Sequence, residues 1–203
     1  MKTCPHINLD LDALPGISKI VCLDETESTQ AVARELALEG TAERTLVLSE
    51  VQTGGRGRLG RDWESGPGGL YMTLLLKPET VLRFLPDLSV LSGEVVAETI
   101  TALYGIKTRI KKPNDVYAYH PRRRKWLKIS GVLTESSSIN KEASWLLLGV
   151  GVNLNNVLKL GTAVSVKAIT GAEVSREEFL REFFKDFWLR YSAWEYASQA
   201  KSS

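Results

Sequence analysis

The chain has 203 residues, 43% of them apolar and 25% charged, with a formal net charge of +2. That length and mixture can bury one sizeable core, and they exclude a disordered or low-complexity chain. The charge is too small for a protein that grips nucleic acid by overall basicity, so any basic site has to be local. Cys4 and Cys22 are the only cysteines. They form no CxxC pair and have no histidine cluster beside them, so neither a disulfide framework nor a zinc site is expected. Cys22, inside KIVCL, reads as a small buried thiol. The N-terminal MKTCPHINLDLDALPG lacks an apolar stretch of signal-peptide length. No run reaches the roughly 20 residues of a membrane span, and a cytoplasmic protein is expected.

In chain order, KIVCL (19–23) is short, apolar and β-branched, which predicts a buried strand. QAVARELALEG then predicts a helix capped by Ser28 or Thr29, faced by Val32, Leu36 and the alanines, and ended by Gly40. TLVLSE (45–50) and GLYMTLLLKP (69–78) are strands, the second ended by Pro78. From Pro86 to Tyr104, Leu88, Leu91, Val95, Thr99 and Leu103 recur at helical spacing, and Gly105 stops them. KTRIKKPND is extended up to Pro113, and VYAY with WLKISGVLTE flanks HPRRRK as a hairpin with a basic tip. SWLLLGVGVNLNN is a further strand. Ser175 and Glu178 form a capping box before a helix with Phe179, Phe183, Phe187 and Tyr191 at four-residue steps, an aromatic stripe that belongs in a core. Adjacent strands with short connections predict an α+β fold, a mixed and largely antiparallel sheet with flanking helices in a single domain over 1–203.

The segment QTGGRGRLGRDW (52–63) leaves the end of a strand. Glycine permits positive φ and brings backbone N–H groups close to a ligand, while arginine adds a permanently charged fork of donors for carboxylate or phosphate. Gly54, Gly55, Gly57 and Gly60 with Arg56, Arg58 and Arg61 therefore suit an anionic small ligand, and such a loop can stay mobile until one binds. A solvated basic turn and an RNA-binding segment are the other readings, and all three stay open on composition and placement. KKPND (111–115) puts Lys111 and Lys112 on opposite faces of an extended segment, with Asn114 offering an amide and Asp115 a carboxylate for a lysine or a metal. A plain Pro-Asn-Asp turn is the alternative. Lys128 lies on a strand, where Gly131 allows a close backbone approach, and Gly149 and Gly151 face the same side of one strand, leaving volume for a ligand lying flat or for packing against a helix.

Taken together, ESTQ (27–30), QTGGRGRLGRDW, KKPND, LKISGVLTE (127–135) and GVGVNLN (149–155) resemble the biotin protein ligase family, across roughly residues 19–190. The resemblance implies a class II synthetase-like catalytic domain of the biotin/lipoate ligase fold. It implies attack of biotin's carboxylate on the α-phosphate of ATP, with Mg²⁺ accompanying the nucleotide, to give biotinyl-5'-AMP. Transfer to a lysine of a biotin carboxyl carrier protein follows. Ser28, Thr29, Gln30, Gln52, Gly55, Arg56, Gly57, Arg58, Lys111 and Gly131 are then the biotin-binding set. Lys111, Arg56 and Arg58 carry the chemistry; Arg58, Arg61, Trp63, Asn114, Lys128 and Asn153 hold the nucleotide. No metal ligand set is assigned. Lys112 stands where the family usually has tryptophan, and Leu59 replaces a frequent arginine. The family's small C-terminal β-barrel and an N-terminal helix-turn-helix are both expected to be absent, so DNA is not expected as a partner, nor is a membrane. Lipoate ligation on the same fold and non-catalytic holding of biotin or its adenylate are the competing expectations. HPRRRK reads as a solvated tip or as a carrier-docking patch, and a homodimer is left open.

Overall fold

The computed structural model describes residues 14–78, 85–139, 142–159 and 161–200. In chain order these form β1 (Lys19–Thr26), α1 (Thr29–Leu38), β2 (Thr45–Gln52), a 3-10 turn (Arg58–Gly60), β3 (Leu70–Leu76) and α2 (Leu85–Tyr104). Then come β4 (Thr108–Lys111), β5 (Asp115–His120), β6 (Lys125–Ile139), β7 (Glu142–Val152), α3 (Val166–Thr170) and α4 (Arg176–Ala200). The strands make one seven-stranded sheet in the order β1-β2-β3-β7-β6-β5-β4. Only β1 and β2 run parallel; the other neighbours are antiparallel. The α+β class and the mixed sheet expected from the sequence are both present.

The alternation within each strand divides the sheet into two unlike faces. On one face, Leu46, Leu48, Leu70, Met72, Leu74, Val150 and Val152 join Val95, Val96 and Ile100 of α2 and Phe179, Phe183, Phe184 and Phe187 of α4 in one buried cluster. The aromatic stripe stacks along α4, with Phe183 and Phe187 ring centroids 5.5 Å apart. Each buried phenylalanine contributes about 1.5–3 kcal/mol of transfer free energy. On the other face, Ala33 and Ala37 of α1 form a smaller buried cluster with Val47, Leu75 and Leu147, with Val21, Leu23 and Trp145 packed at its margin. Tyr71, Thr73, Gly149, Gly151 and Gly131 on the same face, met by Thr29 and Gln30 from the start of α1, form the floor of the site, and Asp115 and Lys111 continue that face outward.

Both predicted caps are made: Ser28 Oγ accepts from Gln30 N–H, and Ser175 Oγ from Glu178 N–H. The chain leaves α1 through Gly40 at φ +80° and α2 through Gly105 at φ +64°. Arg176 at the start of α4 pairs with Glu50 at the end of β2, both largely buried, and Glu50 also accepts from Gly68 N–H. Three readings need correction. β1 is a half-exposed edge strand rather than a buried one, because among the described residues it has a neighbour on one side only. The short α3, capped by Ser165, was not anticipated. Cys22 is half-buried and disulfide-bonded rather than a free buried thiol; Cys4 lies outside the described residues.

Candidate active site

The site begins where β2 ends. The glycine-arginine segment is folded back on itself: Gln52 N–H donates to Ser65 C=O, Trp63 N–H to Gly55 C=O, and Gly57 N–H to Arg61 C=O. Its base is tied to the start of α1 by Gly54 N–H donating to Glu27 C=O. At Gly55 a Cβ would lie 2.6 Å from both Ser65 Oγ and Trp63 O, so the tight closure requires glycine there. The glycine-arginine loop is thus closed by its own backbone bonds.

Closing the loop lays Trp63 against the sheet. A Cβ on Gly151 would meet the indole Nε1 at 2.5 Å, and one on Gly131 would meet the ring at 3.3 Å. The volume left by these glycines is therefore taken by Trp63, and that left by Gly149 by Gln30 Oε1 at 2.6 Å. Side chains of the protein fill the space that the sequence reading also allowed to a flat ligand. Lys128 Nζ sits 5.1 Å from the Trp63 ring centroid and 2.7 Å from Asp115 Oδ1. Asp115 accordingly holds a lysine, one of the two partners expected for it.

Beneath lies a chain of polar groups whose protons can be followed. Thr29 N–H and Oγ1 both reach Gln52 Oε1, at 2.9 and 3.1 Å. Gln52 Nε2 donates to Ser65 Oγ at 2.8 Å, which fixes the way that amide faces. Thr73 Oγ1 donates to Gln30 Oε1 at 3.0 Å and meets Thr29 Oγ1 at 2.9 Å. With its oxygen engaged in this way, the Gln30 amide is fixed, and its Nε2 is left buried without a partner; Trp63 Nε1 is buried and unpartnered too. Unsatisfied buried donors are costly, about 1–3 kcal/mol each, and call for an explanation. Both side chains line the same cleft, whose open volume is about 60 Å³.

On that geometry the sequence comparisons can be read. The profile of the biotin/lipoate A/B protein ligase family matches residues 22–153. The chain belongs to that family. It is 33% identical to the bifunctional ligase/repressor BirA of Bacillus spizizenii over 180 residues, 85% of this chain and 53% of that protein. It is 34% identical to the biotin–[acetyl-CoA-carboxylase] ligase of Paracoccus denitrificans, over 78% of this chain and 67% of the other. The Aquifex aeolicus biotin protein ligase, solved in complex with biotin and ATP, superposes with a TM-score of 0.73 at 31% identity, covering 90% of this chain and 74% of that one. The chain spans about half the length of the BirA relatives from Bacillus.

For this family member, the cleft gathers Ser28, Thr29, Gln30, Gln52, Arg56, Gly57, Arg58, Trp63, Asn114, Lys128 and Gly131. Gly55 lies behind the wall, buttressing Gln52 and Ser65. Arg61 is exposed and contributes its backbone C=O to the loop closure. Asn153 is buried; its Oδ1 accepts from Asn156 and its C=O from Val166 N–H, so it ties β7 to α3 rather than lining the cleft. Lys111 does not line the cleft either. Register places it opposite Asp115 on the same sheet face as Gly131 and Gly151, exposed at the outermost strand. Neither it, Arg56 nor Arg58 has an ion-pair partner among the described residues.

Sequence reasoning missed Tyr71 and Thr73, which also line the cleft. The available signal was their alternation inside the leucine-rich LYMTLLL, where polar groups two residues apart share one face. The Tyr71 hydroxyl donates to Gly66 C=O at 2.7 Å. Burial first, then the charges of Glu50 and Glu64, push its pKa far up, so it remains a neutral donor.

Proposed function

We propose that this chain is the catalytic unit of a biotin protein ligase: it forms biotinyl-5'-AMP from biotin and ATP and passes biotin to a lysine of a biotin carboxyl carrier protein. The observation that carries this reading is one cleft with two chemically different ends. The inner end has neutral buried donors, Gln30 Nε2 and Trp63 Nε1, short of acceptors. The outer end has Arg56 and Arg58, cations with no ion-pair partner among the described residues. A ureido carbonyl suits the first and a carboxylate meeting a phosphate suits the second.

The same argument favours biotin over lipoate, because an apolar dithiolane would leave the buried donors unpaired. Sites built for hydrogen bonding reject analogues that cannot make the bond. In the first step a carboxylate oxygen bonds to the α-phosphorus and the bond to pyrophosphate breaks. In the second a neutral lysine amine attacks the acyl carbon, AMP departs, and the amine loses its proton to solvent. Two anions must meet in the first step, so fixed cations and N–H groups are what the protein has to supply. Lys111 stands on the correct face to join Arg56 and Arg58 there.

Among the described residues no group of three or more His, Cys, Asp or Glu could hold a metal by itself. Asp115 is engaged by Lys128. Mg²⁺ would therefore arrive on the phosphates of ATP rather than in a cage of protein ligands. Among the described residues no helix is long and apolar enough to cross a membrane, and we place the reaction in the cytoplasm. The repressor role in the names of the BirA relatives is not part of this proposal.

The test is biotin-dependent exchange of pyrophosphate into ATP, followed by biotin transfer to a carrier domain. Exchange should require biotin, ignore lipoate and fall at least a hundredfold (about 2.7 kcal/mol of transition-state stabilisation) in Lys111→Ala. Biotin binding without exchange would reduce the chain to a non-catalytic binder.

A further inference from the structure

The net charge of +2 conceals an uneven distribution. Residues 107–128 hold nine lysines and arginines against one acid, Asp115, which leaves 17 basic and 23 acidic residues for the rest of the chain. Within the segment Asp115 is taken by Lys128. Arg109, Arg122, Arg123 and Arg124 have no ion-pair partner among the described residues. The chemistry assigned to the cleft uses none of these four.

Strand register fixes where they stand. Cross-strand partners share a face, so Lys111, Asp115 and Gly131 form one row, Arg109, Tyr117 and Lys128 the next, and Tyr119 with Trp126 a third. Lys128 lines the cleft. The outer rows therefore continue the cleft's own sheet face toward the turn at Pro121–Arg124, and Trp126, two residues along β6 from Lys128, is about 7 Å from it. The helix of this face, α1, packs on β2, β3 and β7, whereas Arg109 and the whole turn are exposed. The Arg109 guanidinium lies 4.6 Å from the Trp126 ring centroid and 5.8 Å from that of Tyr117, and Tyr119 supports Trp126 at 5.4 Å. A guanidinium resting on rings keeps its edge donors free and has already given up much of the freedom that binding would cost it. The same contacts argue against nucleic acid. A stacking platform offers its ring faces to bases, and here Arg109 lies on them.

We propose that the stacked Arg109 and the arginines of the β5–β6 turn form the docking face for the carrier domain, meeting carboxylates on an acidic surface beside its acceptor lysine. This deepens the ligase reading and rests on it. Charge complementarity selects the occupant, because the face presents cations without partners and its one acid is already paired. A carrier has to deliver a single side chain and then leave, so a brief encounter steered by charge serves it better than a large apolar interface. A domain resting on these outer rows lies against an extension of the cleft floor, which keeps its lysine near the cleft mouth.

The variants are Arg109→Gln, which removes the stacked charge, and Arg122→Glu with Arg123→Glu, which reverses two exposed ones. With an unbiotinylated biotin carboxyl carrier domain as probe, and biotin and ATP saturating, each should raise the carrier KM roughly tenfold at low salt, the factor set by about 1.4 kcal/mol, and leave kcat alone. Arg109→Lys, which keeps the charge, should recover part of that loss. Biotin-dependent pyrophosphate exchange, which needs no carrier, should stay at the wild-type rate and reports that each variant is folded. Added salt should raise the wild-type carrier KM until it meets that of the reversed variant near 1 M, where the Debye length is about 3 Å. An unchanged carrier KM in either folded variant overturns the proposal, and so does a tenfold gap that persists at 1 M. A dT oligonucleotide whose binding to the wild-type chain is lost in variants that leave the carrier KM unchanged would give the face to nucleic acid instead. Should Arg109→Gln not fold, the turn variant decides alone. Absence of pyrophosphate exchange in the wild-type chain would sink the ligase reading and is distinguishable from all of these.

Discussion

Replacing Thr73 by valine keeps the shape of a fully buried side chain and deletes one hydroxyl. That hydroxyl donates to Gln30 Oε1 and meets Thr29 Oγ1. Thr29 Oγ1 gives its proton to Gln52 Oε1 and Thr73 gives its own to Gln30, so the Thr29–Thr73 contact carries no proton and its loss costs little. Gln30 Oε1 is left buried with nothing to accept, which costs about 1–3 kcal/mol unless the amide turns over. The variant should therefore lose about 1–3 kcal/mol of stability, a fall in Tm of roughly 2–12 °C for a chain of this size. Freed from Thr73, the Gln30 amide no longer holds its Nε2 toward the cleft. Biotin affinity, measured by calorimetry without ATP, should weaken roughly tenfold. Thr73→Ser, which keeps the donor, should restore most of that affinity even if some packing is lost. A valine variant that melts early but binds biotin as tightly as the parent would refute the claim that Thr73 aims Gln30 at the ligand.

Trp63→Ala removes a donor assigned to the ureido ring and should weaken biotin affinity roughly tenfold, with a smaller effect on the KM for ATP; calorimetry and pyrophosphate-exchange kinetics separate the two. His120 is buried, and that burial, then Arg123 and Arg122, lowers its pKa below 6.5. The folded state thus binds this proton less readily than the unfolded chain, so stability present above about pH 6.5 is lost as pH falls through that value and stops falling below the folded pKa. Urea titrations from pH 8 to pH 5 should show that loss, and His120→Asn should flatten it.

Most helices and strands were legible because their signals are local. Ser28, Gly40, Ser175 and Gly105 act within a turn of where they stand, and the α4 stripe is periodic by itself. What was not legible depends on pairing across the sheet. KIVCL has a core-like composition, yet being at the edge leaves β1 half-exposed. Gly149 and Gly151 share one side of β7 as their alternation implies, but their use, and that of Gly131 on β6, is decided by Trp63 and Gln30, which are brought there by a loop closure and a helix start from elsewhere in the chain. Tyr71 and Thr73 became part of the cleft only once β3 was seen between β2 and β7. Lys111 shows the same limit from the other side: a motif fixed its face, and the register put it one strand outside the cleft wall.

The two ends of the cleft follow different electrostatic rules, and this leads to a prediction that separates them. Lys128, half-buried beneath Trp63, is paired with Asp115, as a cation partly removed from water must be. Arg56 and Arg58 are on a loop held by backbone bonds and have no ion-pair partner among the described residues. An anion bound there gains the full attraction of both, less whatever salt removes by screening. The Debye length shrinks from about 10 Å at 0.1 M to about 3 Å at 1 M, so ATP affinity should fall steeply with added salt. Recognition of a neutral ureido ring by Gln30 and Trp63 has no such term. Biotin amide, which keeps that ring and lacks the carboxylate charge, should bind with almost no salt dependence. Equal salt slopes for ATP and biotin amide would mean that the arginines do not face the phosphate end, and the division of labour argued for this cleft would fail with them.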